Sequence, residues 1–206
     1  MTDAFPQAKT RRSLLYSATA AFGAVALVAA AWPLIDQMNP DAGTRAAGNF
    51  VDVDLDRLRP AEQRIERWRH LPISIVWRTP AMLKAMQEPR FAVTLIDPWS
   101  DRRQQPDYAR NWHRSIDPAY AVLVGVCTRC RCALRFIADD APEPDQPGRY
   151  VCPCCASRYD AAGRAYYGPA PYNLAVPPHD IVDRTRIVIG KNPPGMLFTF
   201  ESLELA

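Results

Sequence analysis

All six cysteines of this 206-residue chain fall between Cys127 and Cys155. Cysteines that merely fill a core scatter along a sequence, so clustering this tight marks a site or a staple. The first group reads Cys127-Thr128-Arg129-Cys130-Arg131-Cys132. The second reads Cys152-Pro153-Cys154-Cys155-Ala156-Ser157-Arg158-Tyr159-Asp160. They contain two C-x-x-C pairs, Cys127/Cys130 and Cys152/Cys155, with 21 residues between the pairs. That is close to the paired C-x-x-C spacing of zinc sites. Two thiols three positions apart on one tight turn can reach one ion. Four thiolates on two facing loops suit tetrahedral Zn²⁺, and they also suit iron in an iron–sulfur centre. Cys132 and Cys154 lie outside both pairs. Outside the cytoplasm such a pair is most simply a disulfide. Three disulfides without metal, or free and partly degenerate cysteines, are the other readings.

The elements that would position these loops are mostly short strands. Val51, Val53 and Leu55 alternate with Asp52 and Asp54, a period of two. Ile73, Ile75 and Trp77 alternate likewise. Tyr120 to Val126 is an apolar run of strand length that ends at the first cysteine. Ile181-Val182 and Ile187-Val188-Ile189 read as one or two strands, and Met196 to Phe200 as another after Pro193-Pro194-Gly195. Thr79-Pro80 can open a short helix through Met86, with threonine as N-cap and proline at the first helical position. Asp139 to Gly148 is an acidic, proline-rich loop between the cysteine groups. There are 20 prolines and only 9 glycines, and proline stands at about twice its usual ~5 %. Together these features point to an all-β sandwich or barrel with stiff loops.

Ahead of this body lies a 23-residue stretch without a charge, Ser13 to Ile35. As a helix it spans roughly 34 Å, enough for a bilayer core of ~30 Å. Lys9, Arg11 and Arg12 precede it and Asp36 follows, which puts the N-terminus in the cytoplasm. Thr10 to Leu15 resembles a twin-arginine export signal. The apolar run exceeds the ~7–15 residues of a cleaved signal and lacks a small-x-small exit, so an uncleaved anchor is expected. Asp41 to Gly48 is small and polar and reads as a connector. The net charge is +3, of which the first twelve residues carry +2. A near-neutral body lacks the basic face of a nucleic-acid binder, so no nucleic-acid partner is expected. With 23 % charged and 48 % hydrophobic residues, whole-chain disorder is excluded.

Four segments together resemble the Rieske iron–sulfur subunit of ubiquinol–cytochrome c reductase, the cytochrome bc complex. They are Thr10 to Pro40, Gly125-Val126-Cys127-Thr128, Cys152-Pro153-Cys154 with Ser157, Tyr159 and Asp160, and Gly168 to Pro178. The resemblance implies an all-β head, an antiparallel sandwich with a smaller cluster-binding subdomain, on a single N-terminal transmembrane helix. Residues 1–12 would be cytoplasmic, 13–35 the anchor, 36–50 the hinge and 51–206 the head. It implies a 2Fe–2S cluster, electron transfer from quinol to cytochrome c, and cytochrome b and c-type cytochrome partners. The setting would be a bacterial inner membrane with the head in the periplasm. Carried over by position, Cys127 and Cys152 are thiolate ligands and Cys132–Cys154 is a disulfide. The Ser157 and Tyr159 hydroxyls bond cluster sulfurs, and Gly168, Pro169, Ala170 and Pro171 belong to a covering loop.

The departures fall on the chemistry. The family loops read C-T-H-x-G-C and C-P-C-H-G-S, with both histidines on the second iron. Here those positions hold Arg129 and Cys155, and Arg131 and Ala156 stand at the glycines. Arginine stays protonated and cannot ligate. His70, His113 and His179 lie outside both loops, and His179 is expected on a surface loop. The candidate metal set is therefore Cys127, Cys130, Cys152 and Cys155. It would hold 2Fe–2S by resemblance, with Zn²⁺ or no metal as alternatives. Imidazole ligation places a two-iron centre at roughly −150 to +300 mV, against about −400 mV for all-cysteine ferredoxins. The expected function is an electron-transfer subunit of a bc complex or its divergent paralogue. Two alternatives are a non-redox accessory subunit and a low-potential four-cysteine carrier. No catalytic residue is assigned, and quinol oxidation stays open.

The anchor reading predicts that the chain taken from membranes keeps its N-terminal segment. Mass spectrometry should find a terminus ahead of Ser13. A mature terminus beyond residue 35 would overturn it.

Overall fold

The computed structural model describes residues 11–37, 50–138 and 147–200. Most of the expected hinge and most of the acidic proline-rich loop lie outside them. The chain divides into two compact units, 1–45 and 46–206. In the first, helix α1 (Arg11–Asp36) is 26 residues long, with a mean hydropathy of 1.9 over its most apolar window and no buried side chain. By length and composition it can cross a membrane. It covers the whole uncharged stretch, and Pro33 sits within its last turn.

Among the described residues, the second unit is built from ten strands in three antiparallel sheets. The central sheet runs β2 (Gln63–Trp68), β3 (Leu71–Trp77), β4 (Tyr120–Val124). β3 is buried on both faces, which is why its apolar character runs past simple alternation. One face presents Ile73 and Ile75, with Val122 and Val124 of β4. These pack with Val53 and Leu55, and with Ile187 and Ile189 of the sheet β1 (Val51–Asp54), β10 (Arg186–Ile189), β9 (His179–Val182). The opposite face presents Val76, Ala121 and Leu123 to a second core holding Tyr150, Tyr159, Leu174, Cys127 and Cys152. That core joins the smaller sheet β5 (Arg135–Ile137), β6 (Arg149–Val151), β7 (Arg158–Tyr159), β8 (Ala165–Tyr167). The architecture is thus an all-β sandwich carrying a smaller sheet that bears the second cysteine loop.

The hairpin between β2 and β3 turns in two residues, Arg69 and His70, both with positive φ (46° and 65°). That is the backbone a tight hairpin needs, supplied without asparagine or glycine, so the sequence pattern gave no warning of β2. Helix α2 (Pro80–Met86) starts as expected: the Thr79 hydroxyl accepts from the Met82 N–H at 3.3 Å. A four-residue turn, α3 (Pro89–Ala92), follows it.

Two expectations are corrected. Met196 to Phe200 is not a strand. Its backbone joins no sheet, and the segment is held by side chains instead. Phe200 packs edge-on against Trp68 with ring centroids 5.0 Å apart, and the Asn192 amide donates to the Phe198 carbonyl at 2.8 Å. His179 is not on a surface loop. It opens β9 opposite Ile189 and is 1 % exposed, and its ring meets Tyr108 edge-on. Its Nδ1 lies 2.9 Å from the Pro177 carbonyl, which assigns the proton to Nδ1. Pairing with β10 pulls the residue in, and two preceding prolines could not reveal that.

Burial lowers the His179 pKa from 6.5 to about 4. The unfolded chain therefore binds this proton first as pH falls, so the stabilisation present above pH 6.5 is lost between 6.5 and about 4. The loss reaches up to about 3 kcal/mol. His113, also lowered to about 4 by burial, adds a slope of the same sign. Melting temperature of the full chain in detergent should fall across this window, and His179→Gln should flatten the slope. An unchanged slope in the variant would refute the assignment.

Candidate metal centre

Each cysteine loop is anchored by a strand. β4 delivers Val126, which bridges to Ala133 and closes the first loop at its base. β6 ends at Val151 and β7 resumes at Arg158, closing the second. Within the loops the Cys127 N–H donates to the Cys132 carbonyl at 2.9 Å, and the Cys152 N–H to the Ser157 carbonyl at 2.9 Å. The closures face each other and are joined by a Cys132–Cys154 disulfide.

The four remaining sulfurs converge. Cys127 Sγ lies 3.6 Å from Cys155 Sγ, and Cys130 Sγ lies 3.4 Å from Cys152 Sγ and 3.7 Å from Cys155 Sγ. All six separations are within 4.8 Å. These exceed a sulfur–sulfur bond of about 2.05 Å, so the four are thiols in contact rather than further disulfides. Cys127 and Cys152 are buried, Cys155 is half-buried and Cys130 faces solvent. A second grouping adds Cys132 and Cys154 to Cys130 and Cys152. The disulfide removes that pair as thiolate donors.

Hydroxyl and amide donors surround the thiols. The Tyr159 hydroxyl lies 3.4 Å from Cys127 Sγ and accepts from the Thr128 N–H at 3.2 Å. The Thr128 hydroxyl donates to the Tyr172 carbonyl at 2.9 Å, which turns the Tyr159 proton toward sulfur or Thr128 Oγ1. Ser157 Oγ accepts from the Ala170 N–H at 3.2 Å and lies within hydrogen-bond reach of Cys155 Sγ at 3.1 Å. This hydrogen bond holds the Cys155 thiol down to about 6, well below the usual thiol range. Burial pushes Cys152 up to about 12. Burial also raises Tyr159. Arg129 takes no part through its side chain here; its N–H donates to Cys127 Sγ at 3.5 Å.

Of the covering-loop residues, Ala170 is buried, while Gly168, Pro169 and Pro171 are exposed. Gly168 has φ +91°, and a Cβ there would stand 2.6 Å from Ser157 Cα. The loop thus touches the second cysteine loop through Ser157 and the first through Tyr172. Thr128 and Tyr172 as a linked pair escaped the sequence reading. Thr128 was visible inside the motif, but its partner lies 44 residues on. Among the described residues, the groupings of metal-binding side chains contain cysteines only.

Residues 1–41 match the family described as the ubiquinol–cytochrome c reductase Fe–S subunit twin-arginine signal. The ubiquinol–cytochrome c reductase iron–sulfur subunit of Allochromatium vinosum is 40 % identical over 190 residues, covering 89 % of this chain and 90 % of its own. That of Blastochloris viridis is 42 % identical over 184 residues, covering 88 % and 93 %. The chain belongs to the ubiquinol–cytochrome c reductase iron–sulfur subunit family. A solved chain of a hyperthermophilic respiratory complex III superposes with a TM-score of 0.47 at 19 % identity, covering 83 % of this chain and 98 % of its own.

Membership in the iron–sulfur subunit family implies an iron–sulfur centre. The donor chemistry suits one, since thiolates take iron and zinc alike. The spacing does not suit a two-iron core. Such a core seats each ligand pair on its own iron with bridging sulfides between. Sulfurs on opposite irons then stand farther apart than the 4.8 Å that bounds every separation here. A single tetrahedral ion with metal–sulfur distances of about 2.3 Å has edges of about 3.8 Å; three of the six separations, 3.4, 3.6 and 3.7 Å, lie beside that value and all six are within 4.8 Å.

The staple joins residues separated by 22 positions, so its loss should cost ~3 kcal/mol in the chain-entropy model. Denaturant unfolding of a Cys132→Ser/Cys154→Ser double variant of the full chain measures this. A change below about 1 kcal/mol would show that the loops hold without it.

Proposed function

We propose that the chain is a membrane-anchored subunit of a ubiquinol–cytochrome c reductase. Its head would sit on the periplasmic side of a bacterial inner membrane, beside cytochrome b and a c-type cytochrome. Its proposed ligands are Cys127, Cys130, Cys152 and Cys155. Residues 13–35 anchor it, residues 36–50 act as a hinge and residues 51–206 form the head. The observation that carries the reading is the extent of the family relationship, 89 % of the chain at 40 % identity. At that extent it takes in both cysteine loops and the covering loop. The family role is electron transfer from quinol to cytochrome c.

The chain's own residues set what its centre can do. Cys127 and Cys152 sit inside the second core, and the strands and covering loop keep water from them. Cys130 and Cys155 form the outward edge, the side from which an electron partner can approach. The Tyr159 and Ser157 hydroxyls stand within hydrogen-bond reach of Cys127 and Cys155; donated to sulfur, their protons disperse thiolate charge and raise the potential of any iron held there. Four thiolates carry no imidazole proton, so quinol oxidation coupled to proton uptake at the centre is outside this donor set. A non-redox accessory role in the same complex is the second reading. It is favoured by the all-thiol grouping and by the placement of His113 and His179 in hydrogen bonds of their own.

Affinity-tagged full chain, extracted from its native membranes in mild detergent, should bring down b-type and c-type haem. Reduced-minus-oxidised spectra read both. A preparation free of haem would overturn membership of the complex.

A further inference from the structure

We propose that the four thiols close on one metal ion, a tetrahedral zinc or ferrous ion, rather than on a two-iron cluster. The inference rests on the reading of these cysteines as ligands and is independent of the partner cytochromes.

The two loops are copies of one device. Each begins with a buried cysteine and places a more exposed one three positions later. In the first loop the Arg131 N–H donates to the Cys127 carbonyl at 2.9 Å; in the second, the Ala156 N–H donates to the Cys152 carbonyl at 3.0 Å. The donor residue is left-handed in both, φ 57° at Arg131 and 56° at Ala156. Neither is a glycine, so the turn is held against the preference of its side chains. Two such turns, facing each other, supply two thiols each from a pre-bent backbone. This is the geometry for completing a tetrahedron around a single point.

The contacts between loops are as short as they can be without bonding. Cys130 meets Cys152 at 3.4 Å and Cys127 meets Cys155 at 3.6 Å, both across the gap. Bridging sulfides and a second iron would have to enter that gap. No assignment of the four sulfurs to two irons avoids this, because all six separations are within 4.8 Å. The Tyr159 and Ser157 hydroxyls lie within hydrogen-bond reach of cage sulfurs and the Arg129 N–H donates to Cys127 Sγ, so groups that can disperse the charge of a tetrathiolate are already in place. Binding a divalent ion displaces the protons that the thiols still hold and oxidises nothing. Zinc and ferrous iron share this chemistry, and only the second adds a redox step.

The test uses full-length chain purified anaerobically in detergent. Zinc, iron and acid-labile sulfide are measured together, then thiols and disulfides after denaturation. The expected result is one metal per chain, no labile sulfide, four thiols and one disulfide. A colourless protein identifies zinc, and a visible thiolate-to-iron band identifies iron; both support the proposal. Two irons with two sulfides overturn it, as does a metal-free chain with three disulfides. A Co²⁺ titration of the metal-stripped chain supplies a second readout. It should saturate at one equivalent with the spectrum of a tetrahedral thiolate, and Cys155→Ser should weaken binding at least tenfold. Saturation at two equivalents, or unchanged affinity in the variant, counts against a single cage. Haem-free preparations would bear on the complex and leave this stoichiometry untouched.

Discussion

The head is organised around one constraint: two short loops, whose C-x-x-C pairs lie 21 residues apart in sequence, bring four sulfurs within 4.8 Å of one another. Loops of this length carry too little apolar surface to hold themselves. Their positions are set from outside, by β4 and β6 at their bases, by the Cys132–Cys154 bond between them and by the covering loop over them. The close packing of Gly168 on Ser157 leaves that covering loop one way to sit.

Behind the loops, buried cations do the clamping. Arg114 is 1 % exposed and donates to the Gln105 side chain and to the carbonyls of Ala162, Gly163 and Leu174. Those carbonyls belong to the chain between the second cysteine loop and β9, so one guanidinium ties both sides of the covering loop. Burial lowers its pKa to about 9, still charged near neutrality. Asp160, directly after Tyr159, pairs with Arg164 at 2.6 Å with both side chains buried. Arg78 reaches the carbonyls of His113 and Tyr120 at the start of β4. Charges taken out of water are costly unless fully bonded. They serve here because a guanidinium can satisfy several loop carbonyls that no strand reaches.

The anchor helix shares none of these constraints. It has no buried side chain, and its length and composition are its whole specification.

The sequence alone determined the features that rest on composition and local spacing. The anchor followed from an uncharged run, the α2 start from Thr79-Pro80, and β1, β3, β4 and β10 from apolar periodicity. The six cysteines named the candidate site because thiols have few other reasons to cluster. What the tertiary structure decided rests on contacts between distant residues. The β2–β3 hairpin turns on Arg69 and His70, residues with no turn preference, held left-handed by the pairing on either side. His179 is buried because β10 pairs with it, and Met196 to Phe200 is irregular because Phe200 is anchored by Trp68 rather than by a ladder. The spacing of the four sulfurs belongs to the same class. C-x-x-C fixes two thiols on one turn, but only the meeting of two turns sets the distance across the gap.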